Sequence, residues 1–240
     1  MNKSNLTTVL KALYNFVTKR IGEVREAAAK AQSTADKAQS TADKAQTDLD
    51  KLAAALKLST VTSANRVSVA GDAVYPVALK VGISAFANKA ITSAVFPLCT
   101  EVEDYAFNRC QKLTSVDFPE LPTINQFTFA YTYALTNVSF PKVTHIRKYA
   151  FSRSGIQTAV FDSLTSTDDA SFQGSSLTAL VIKTASVCSL YAISTLANTP
   201  IASGTGYIYV PDALVDSYKS ATNWSTYAAQ IKPLSEYTGG

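Results

Sequence analysis

Residues 106–121 read AFNRCQKLTSVDFPEL, and residues 128–143 read TFAYTYALTNVSFPKV. The second stretch rewrites the first 22 residues later: a Phe near the start, a Leu-Thr pair, a Val, and a closing Phe-Pro. Working outward, the leading Phe recurs as Phe86, Phe107, Phe129, Phe151 and Phe172, at intervals of 21, 22, 22 and 21. After each anchor comes an apolar triplet with offsets 0, +3 and +5: Ile91/Ala94/Phe96, Leu113/Val116/Phe118, Leu135/Val138/Phe140, Ile156/Ala159/Phe161 and Leu177/Leu180/Ile182. Five residues before the anchors stand Val81, Val102, Ile124 and Ile146, with Thr167 as the polar exception. Pro97, Pro119 and Pro141 follow three of the triplets.

A unit of this length cannot enclose its own apolar face. Stacked units bury a continuous core, so the period predicts a solenoid. The +3 and +5 offsets place two apolar side chains on one side of a short strand. Successive strands are then expected to pair in parallel, with the Phe anchors forming an internal aromatic ladder. A Pro after the strand stops pairing and turns the chain. Phe therefore opens the packing of one coil, and Phe-Pro ends its strand.

The pattern A-F-x-x-C/x-x-x-L-T-x-V-x-F-P-x-L, as in YAFNRCQKLTSVDFPEL, resembles the BspA-type leucine-rich repeat family over residues 81–190. The resemblance implies a right-handed solenoid used for adhesion and binding rather than catalysis. The last copies depart from the pattern: Asp162 replaces Pro, and residues 183–205 lose the triplet. About five regular coils are expected. Residues 191–240 read as a C-terminal cap, with a final strand, Pro211 and a helix from about Ala213. There Val215, Tyr218, Trp224 and Tyr227 would cover the end of the core. Residues 59–80 read as a connection and opening cap.

Residues 1–58 have a different texture. Residues 6–57 contain no Pro and only Gly22. One heptad position reads Tyr14, Ile21, Ala28, Ala35, Ala42, Leu49 and Leu56; the other reads Leu10, Val17, Val24, Ala31, Ala38, Ala45 and Leu52. Period 3.5 sustained this long predicts a left-handed coiled coil. Such a helix cannot hide its stripe alone and is expected to associate with copies of itself. The flanking Gln32, Gln39, Thr34 and Thr41 leave strand number and orientation open; a parallel trimer is the expected assembly. The heptads AQSTADKAQSTADKAQT also resemble those joining modules in phage tail fibres.

Charge is divided unequally. Residues 1–58 carry ten Lys/Arg against six Asp/Glu, whereas residues 59–240 carry twelve of each. A neutral repeat unit with no basic stripe argues against nucleic acid. Cys99, Cys110 and Cys188 form an odd set without CxxC spacing, so neither a disulfide framework nor a zinc site is expected. His145 stands alone, which leaves no His-based triad and no metal site. GTGY at 204–207 lacks the spacing and Lys of a phosphate loop. No cofactor is implied. Two acidic groups, Glu101/Glu103/Asp104 and Asp168/Asp169, would suit glycoside hydrolysis. Other coils put Asn125-Gln126 and Arg147-Lys148 at the equivalent places, as exposed positions allow. No catalytic residue is therefore assigned.

The segments after each anchor vary most: ANKA (87–90), NRCQK (108–112), AYTYA (130–134), SRSG (152–155) and QGSS (173–176). Asn108, Arg109, Lys112, Tyr131, Tyr133 and Arg153 are the candidate ligand-binding strip, because Tyr offers contact area at low entropic cost and Arg offers planar contacts. MNKSNLTTVLKALYNFVTKR lacks the apolar run and cleavage site of a signal peptide. Nowhere do 18 uninterrupted apolar residues suggest a membrane span. The expectation is a phage tail-fibre or tail-tip protein, assembled in the host cytoplasm and released by lysis as part of the virion. Its N-terminus would dock to a virion or baseplate protein, and its repeats would bind a host surface glycan or protein. A bacterial surface adhesin and a depolymerase fibre are the competing expectations.

Overall fold

A computed structural model describes residues 3–55, 60–66 and 69–239, the helical side chains being described at 11 and 13–51. Residues Lys3–Ala55 form one unbroken α-helix, about 80 Å long at 1.5 Å per residue. Alanine's high helix propensity and the absence of Pro explain its continuity. Side-chain bonds reinforce it at heptad intervals: Gln32 donates to Asp36, Gln39 to Asp43 and Gln46 to Asp50, at 2.7–2.8 Å. Leu13, Tyr14, Phe16, Val17, Ile21 and Val24 are all exposed on the single chain. Leu13 and Phe16 widen the apolar stripe beyond the expected positions. Leu10, Leu52 and Leu56 of that stripe lie outside the described side chains.

The repeat unit has three sides. One is a ladder of longer strands, Ala70–Val74, Ala90–Val95 and Ser115–Asp117, followed by Asn137–Phe140, Thr158–Phe161, Ala179–Ile182, Tyr207–Val210 and Ile231–Pro233. The second is a ladder of two-residue strands, Thr60–Val61, Lys80–Val81 and Glu101–Val102, then Thr123–Ile124, His145–Ile146, Ser166–Thr167 and Ser189–Leu190. Every described pairing is parallel, and apart from a register shift between Gly71 and Asp72 the strands follow the repeat: Phe140 opposes Phe161, which opposes Ile182. The third side is built from turns. Each anchor N–H donates to the residue before the next anchor: Phe86 to Ala106, Phe107 to Thr128, Phe129 to Ala150, Phe151 to Ser171 and Phe172 to Thr195.

Both strand ladders divide at the same step, between the coil ending near Leu121 and the next. There the Asn125 amide donates to the Val102 carbonyl at 2.7 Å. Neighbouring coils make that link with backbone N–H groups, Arg147 to Ile124 and Asp168 to Ile146. The turn side runs through the step unbroken.

Two internal aromatic ladders fill the core. Phe86, Phe107, Phe129, Phe151 and Phe172 are fully buried and stack with centroids 5.2–5.5 Å apart. Tyr75, Phe96 and Phe118 stack at 5.1 and 5.0 Å on the strand side, and Phe140 and Phe161 continue at 6.0 Å. Each buried Phe contributes about 1.5–3 kcal/mol, and each ring pair a further ~0.5–1.5 kcal/mol. Tyr218, Trp224 and Tyr227 are buried at the C-terminal end, as expected, with Val215 packed against them. Their polar atoms are satisfied: Trp224 Nε1 donates to Cys188 O at 2.6 Å, and Tyr227 Oη donates to Ile193 O at 2.8 Å. The three thiols are free and buried, and burial pushes Cys99 up to about 11 and Cys110 and Cys188 up to about 12.

Repetition extends past the five expected coils. The 3-10 turn Ile193–Leu196 occupies an anchor turn: Thr195 O accepts from Phe172, Ala197 O accepts from Gly174, and buried Leu196 stands where Phe stood. The sequence hides this copy because an aliphatic residue replaces the aromatic and the interval stretches to 24 residues. The closing segment also differs from the expected helix. Asp212–Leu214 is a 3-10 turn, Val215–Ser220 a short α-helix, and Ile231–Pro233 returns as a further parallel strand.

Candidate functional site

The turn side places the predicted strip. Each anchor is flanked two residues before and two residues after by left-handed backbone. The leading positions are Ser84, Tyr105, Phe127, Tyr149 and Ala170; the trailing ones are Asn88, Arg109, Tyr131, Arg153 and Gly174. Left-handed φ costs a non-glycine residue about 1–2 kcal/mol. The inter-coil hydrogen bonds over-determine that conformation, and the side chains at these positions form two columns along the solenoid.

In the trailing column the Arg109 guanidinium carbon lies 5.1 Å, and that of Arg153 5.7 Å, from the centroid of the Tyr131 ring between them. Tyr133 meets Tyr131 edge-on at 6.3 Å and is mostly exposed. Its backbone is positioned by Gly155, where an added Cβ would sit 2.0 Å from the Tyr133 carbonyl oxygen. Lys112 is exposed and, with Asn88, Lys89, Arg109 and Gln111, lines a shallow groove of about 270 Å³. Asn108 is drawn into the scaffold instead: its half-buried amide lies 3.5 Å from the Phe127 and Ala130 carbonyls. The structure thus gathers Arg109, Tyr131, Tyr133 and Arg153, sets Lys112 beside Arg109, and gives Asn108 a contact between coils.

The leading column was not anticipated. Tyr105, Phe127 and Tyr149 stack face to face at 4.8 Å per step, and Lys148 Nζ lies 5.1 Å from the Tyr149 centroid. Three aromatics two residues before successive anchors were a visible signal. The stacked faces cover one another, so the column braces the strained turns.

The acidic groups hold coils together. Lys80 bonds Glu101 at 2.9 Å and Glu103 at 2.6 Å, and Glu103 also accepts from Ile83 N–H. The Lys80 hydrogen bond holds the Glu103 carboxyl below its ordinary range. Asp104 accepts from Gln126 N–H at 3.1 Å. Asp168 lies 3.0 Å from His145 Nε2, while His145 Nδ1 meets Ser166 Oγ at 2.5 Å. Asp169 bonds Ser194 and Lys148, and the serine hydroxyl foremost holds its carboxyl low. Among the described residues no cluster of His, Cys, Asp or Glu could hold a metal ion, and no helix is long and apolar enough to cross a membrane.

Comparison with known proteins follows the same boundaries. Residues 80–196 match the family model for the BspA type leucine rich repeat region, in six copies. A crystal structure of a leucine-rich repeat protein from Bacteroides ovatus ATCC 8483 is similar at a TM-score of 0.38 and 17% identity, over 57% of this chain. The match spans 42% of that protein's chain, less than half its length. No curated protein matches. The parallel ladders and the anchor-turn spacing occupy the same stretch, and residues 80–196 have the repeats of a BspA type leucine rich repeat region, in six copies.

Proposed function

We propose that this chain is a non-enzymatic receptor-binding protein whose N-terminal helix assembles copies of itself and whose turn edge grips a host surface glycan or protein. The observation that carries the proposal is the Arg109–Tyr131–Arg153 column with exposed Tyr133 beside it. Held cations and aromatic rings on a rigid scaffold lose little freedom when they bind. The unbroken helix and its exposed apolar stripe support self-association, preferably as a parallel trimer. Copies joined in this way convert weak single contacts into avidity.

The heptads' likeness to those of phage tail fibres supports placement in a tail fibre or tail tip, docked to virion or baseplate through the N-terminal segment. The adhesive use implied by the repeat family supports a bacterial surface adhesin as the second reading. Both share the binding edge and differ in what holds the helix. Quantitative proteomics of purified virions against host envelopes separates them.

The direct test is whole-cell binding by the full chain across a strain panel, beside light scattering. Tyr131→Ala with Tyr133→Ala is expected to abolish attachment at unchanged oligomeric mass. Ala35→Asp with Ala42→Asp is expected to reduce the mass to that of a monomer and to weaken attachment through lost avidity. Attachment indifferent to the tyrosines would refute the edge; a mass indifferent to the aspartates would refute the seam.

A further inference from the structure

We infer that the ligand of the turn edge is an acidic glycan, a sugar chain bearing carboxylate or phosphate groups, held by Lys89, Arg109, Lys112 and Arg153. This rests on reading that edge as the binding surface, and it names the ligand's chemistry.

The repeat unit is neutral as a whole, and most of its lysines are matched locally. Lys80, Lys142, Lys148, Lys183 and Lys232 each lie within 4.0 Å of a carboxylate. The segments following the five Phe anchors break this rule. They hold Lys89, Arg109, Lys112 and Arg153 and contain no Asp or Glu. Among the described residues none of these four cations has a carboxylate within 4.0 Å. Four cations without a local counter-charge, gathered on one edge of a neutral body, are complementary to an anion.

The geometry narrows the choice. A guanidinium stacked on a ring keeps its in-plane N–H fork free, and that fork fits a carboxylate or phosphate bidentately. Tyr131 orients two such forks, two coils apart, at a separation of about 10 Å from the spacing of adjacent strands. Duplex nucleic acid presents a charge every ~1.7 Å, far denser than an edge with four cations spread over five coils. Anions borne by individual sugar rings are spaced more like the arginines. Exposed Tyr133 adds an apolar face with a hydroxyl for the rings between the anions.

The test measures binding of the full chain to five polymers: polygalacturonate, its methyl ester, dextran phosphate, dextran and duplex DNA of similar length. Retention on the two charged polysaccharides, weakening as salt rises, is expected, with little on their neutral counterparts. The preference between carboxylate and phosphate identifies the anion. Arg109→Gln and Arg153→Gln should each lower affinity about tenfold or more, the worth of a hydrogen bond to a charged group. Arg147→Gln removes an exposed arginine, also without a carboxylate partner, beside the two-residue strands and should change nothing. Equal binding to charged and neutral polymers, no retention on any charged polysaccharide, preference for DNA, or indifference to the two arginines would overturn the inference. If Tyr131→Ala still abolishes cell attachment in that event, the edge is the binding surface and only the anionic ligand is wrong. If Tyr131→Ala is also silent, the edge itself is wrong.

Discussion

Replacing Tyr131 with glycine separates the site from the scaffold more cleanly than replacing it with alanine. Tyr131 has φ of 60° in a column whose next-but-one member is already a glycine, Gly174, with φ of 69°. Relief of left-handed strain returns about 1–2 kcal/mol. Glycine's greater unfolded freedom costs ~0.5–1 kcal/mol. Two cation–π contacts, with Arg109 and Arg153, are lost at about 0.5–1 kcal/mol each, and the edge-on contact with Tyr133 at a further ~0.5–1.5 kcal/mol. The contributions partly cancel, leaving a net loss of about 2 kcal/mol or less. For a repeat unit of this size that is a melting shift of roughly 4–8 °C or less. The assay pairs thermal unfolding by circular dichroism with whole-cell binding on the strains that the unaltered chain recognises. Tyr131→Gly should melt within about 8 °C of the parent and attach weakly or not at all. A loss of more than about 3 kcal/mol, the scale of a deleted core aromatic, would show that the ring supports the fold. Full attachment would show that the ring supports nothing outside it.

Three further outcomes test the scaffold. Phe129→Ala removes the middle rung of the anchor ladder, fully buried between Phe107 and Phe151. It should cost about 3–5 kcal/mol in urea unfolding, felt in both neighbouring coils because each repeat is stabilised by its neighbours. Gly155→Ala would thrust a methyl against the Tyr133 carbonyl; a loss of about 1–3 kcal/mol and weakened attachment are expected, and an unchanged melting temperature would contradict the close approach. Glu103 and Asp169 have carboxyls held below their ordinary values of 4.5 and 3.8, so the unfolded chain takes up protons first as pH falls. Their stabilisation is present above that range and is lost as pH drops through the folded values. Both lie near solvent, so each contributes about 1 kcal/mol or less. Urea midpoints should be level near neutrality and decline into acid, less steeply in Glu103→Gln.

The candidate strip was legible because of a contrast within the repeat. Where packing fixes a residue, it returns every coil, as the Phe anchors do. Where it does not, chemistry wanders, and Arg109, Tyr131 and Arg153 stood out among AYTYA and its neighbours. Asn108 occupied the same variable segment, yet its amide turns toward the next coil's carbonyls, a direction no one-dimensional reading contains. Tyr105, Phe127 and Tyr149 were equally visible as letters. Only left-handed backbone at those positions brings their rings face to face.

What the amino-acid order determined by itself was the kind of object: a helix carrying an apolar stripe of period 3.5, then a stack of coils that can bury their apolar sides only against one another. Both follow from periodicity, which fixes which side chains share a face before any contact is known. What the tertiary structure alone decided was continuity and polarity. It carried the stack into a sixth turn at Leu196, where the backbone hydrogen bonds persist after the aromatic is gone. It assigned the acidic residues to ties between coils and, among the described residues, left four cations on one edge without a carboxylate partner. Ion pairing depends on distances across coils some 21 residues apart, and those distances exist only once the chain has stacked.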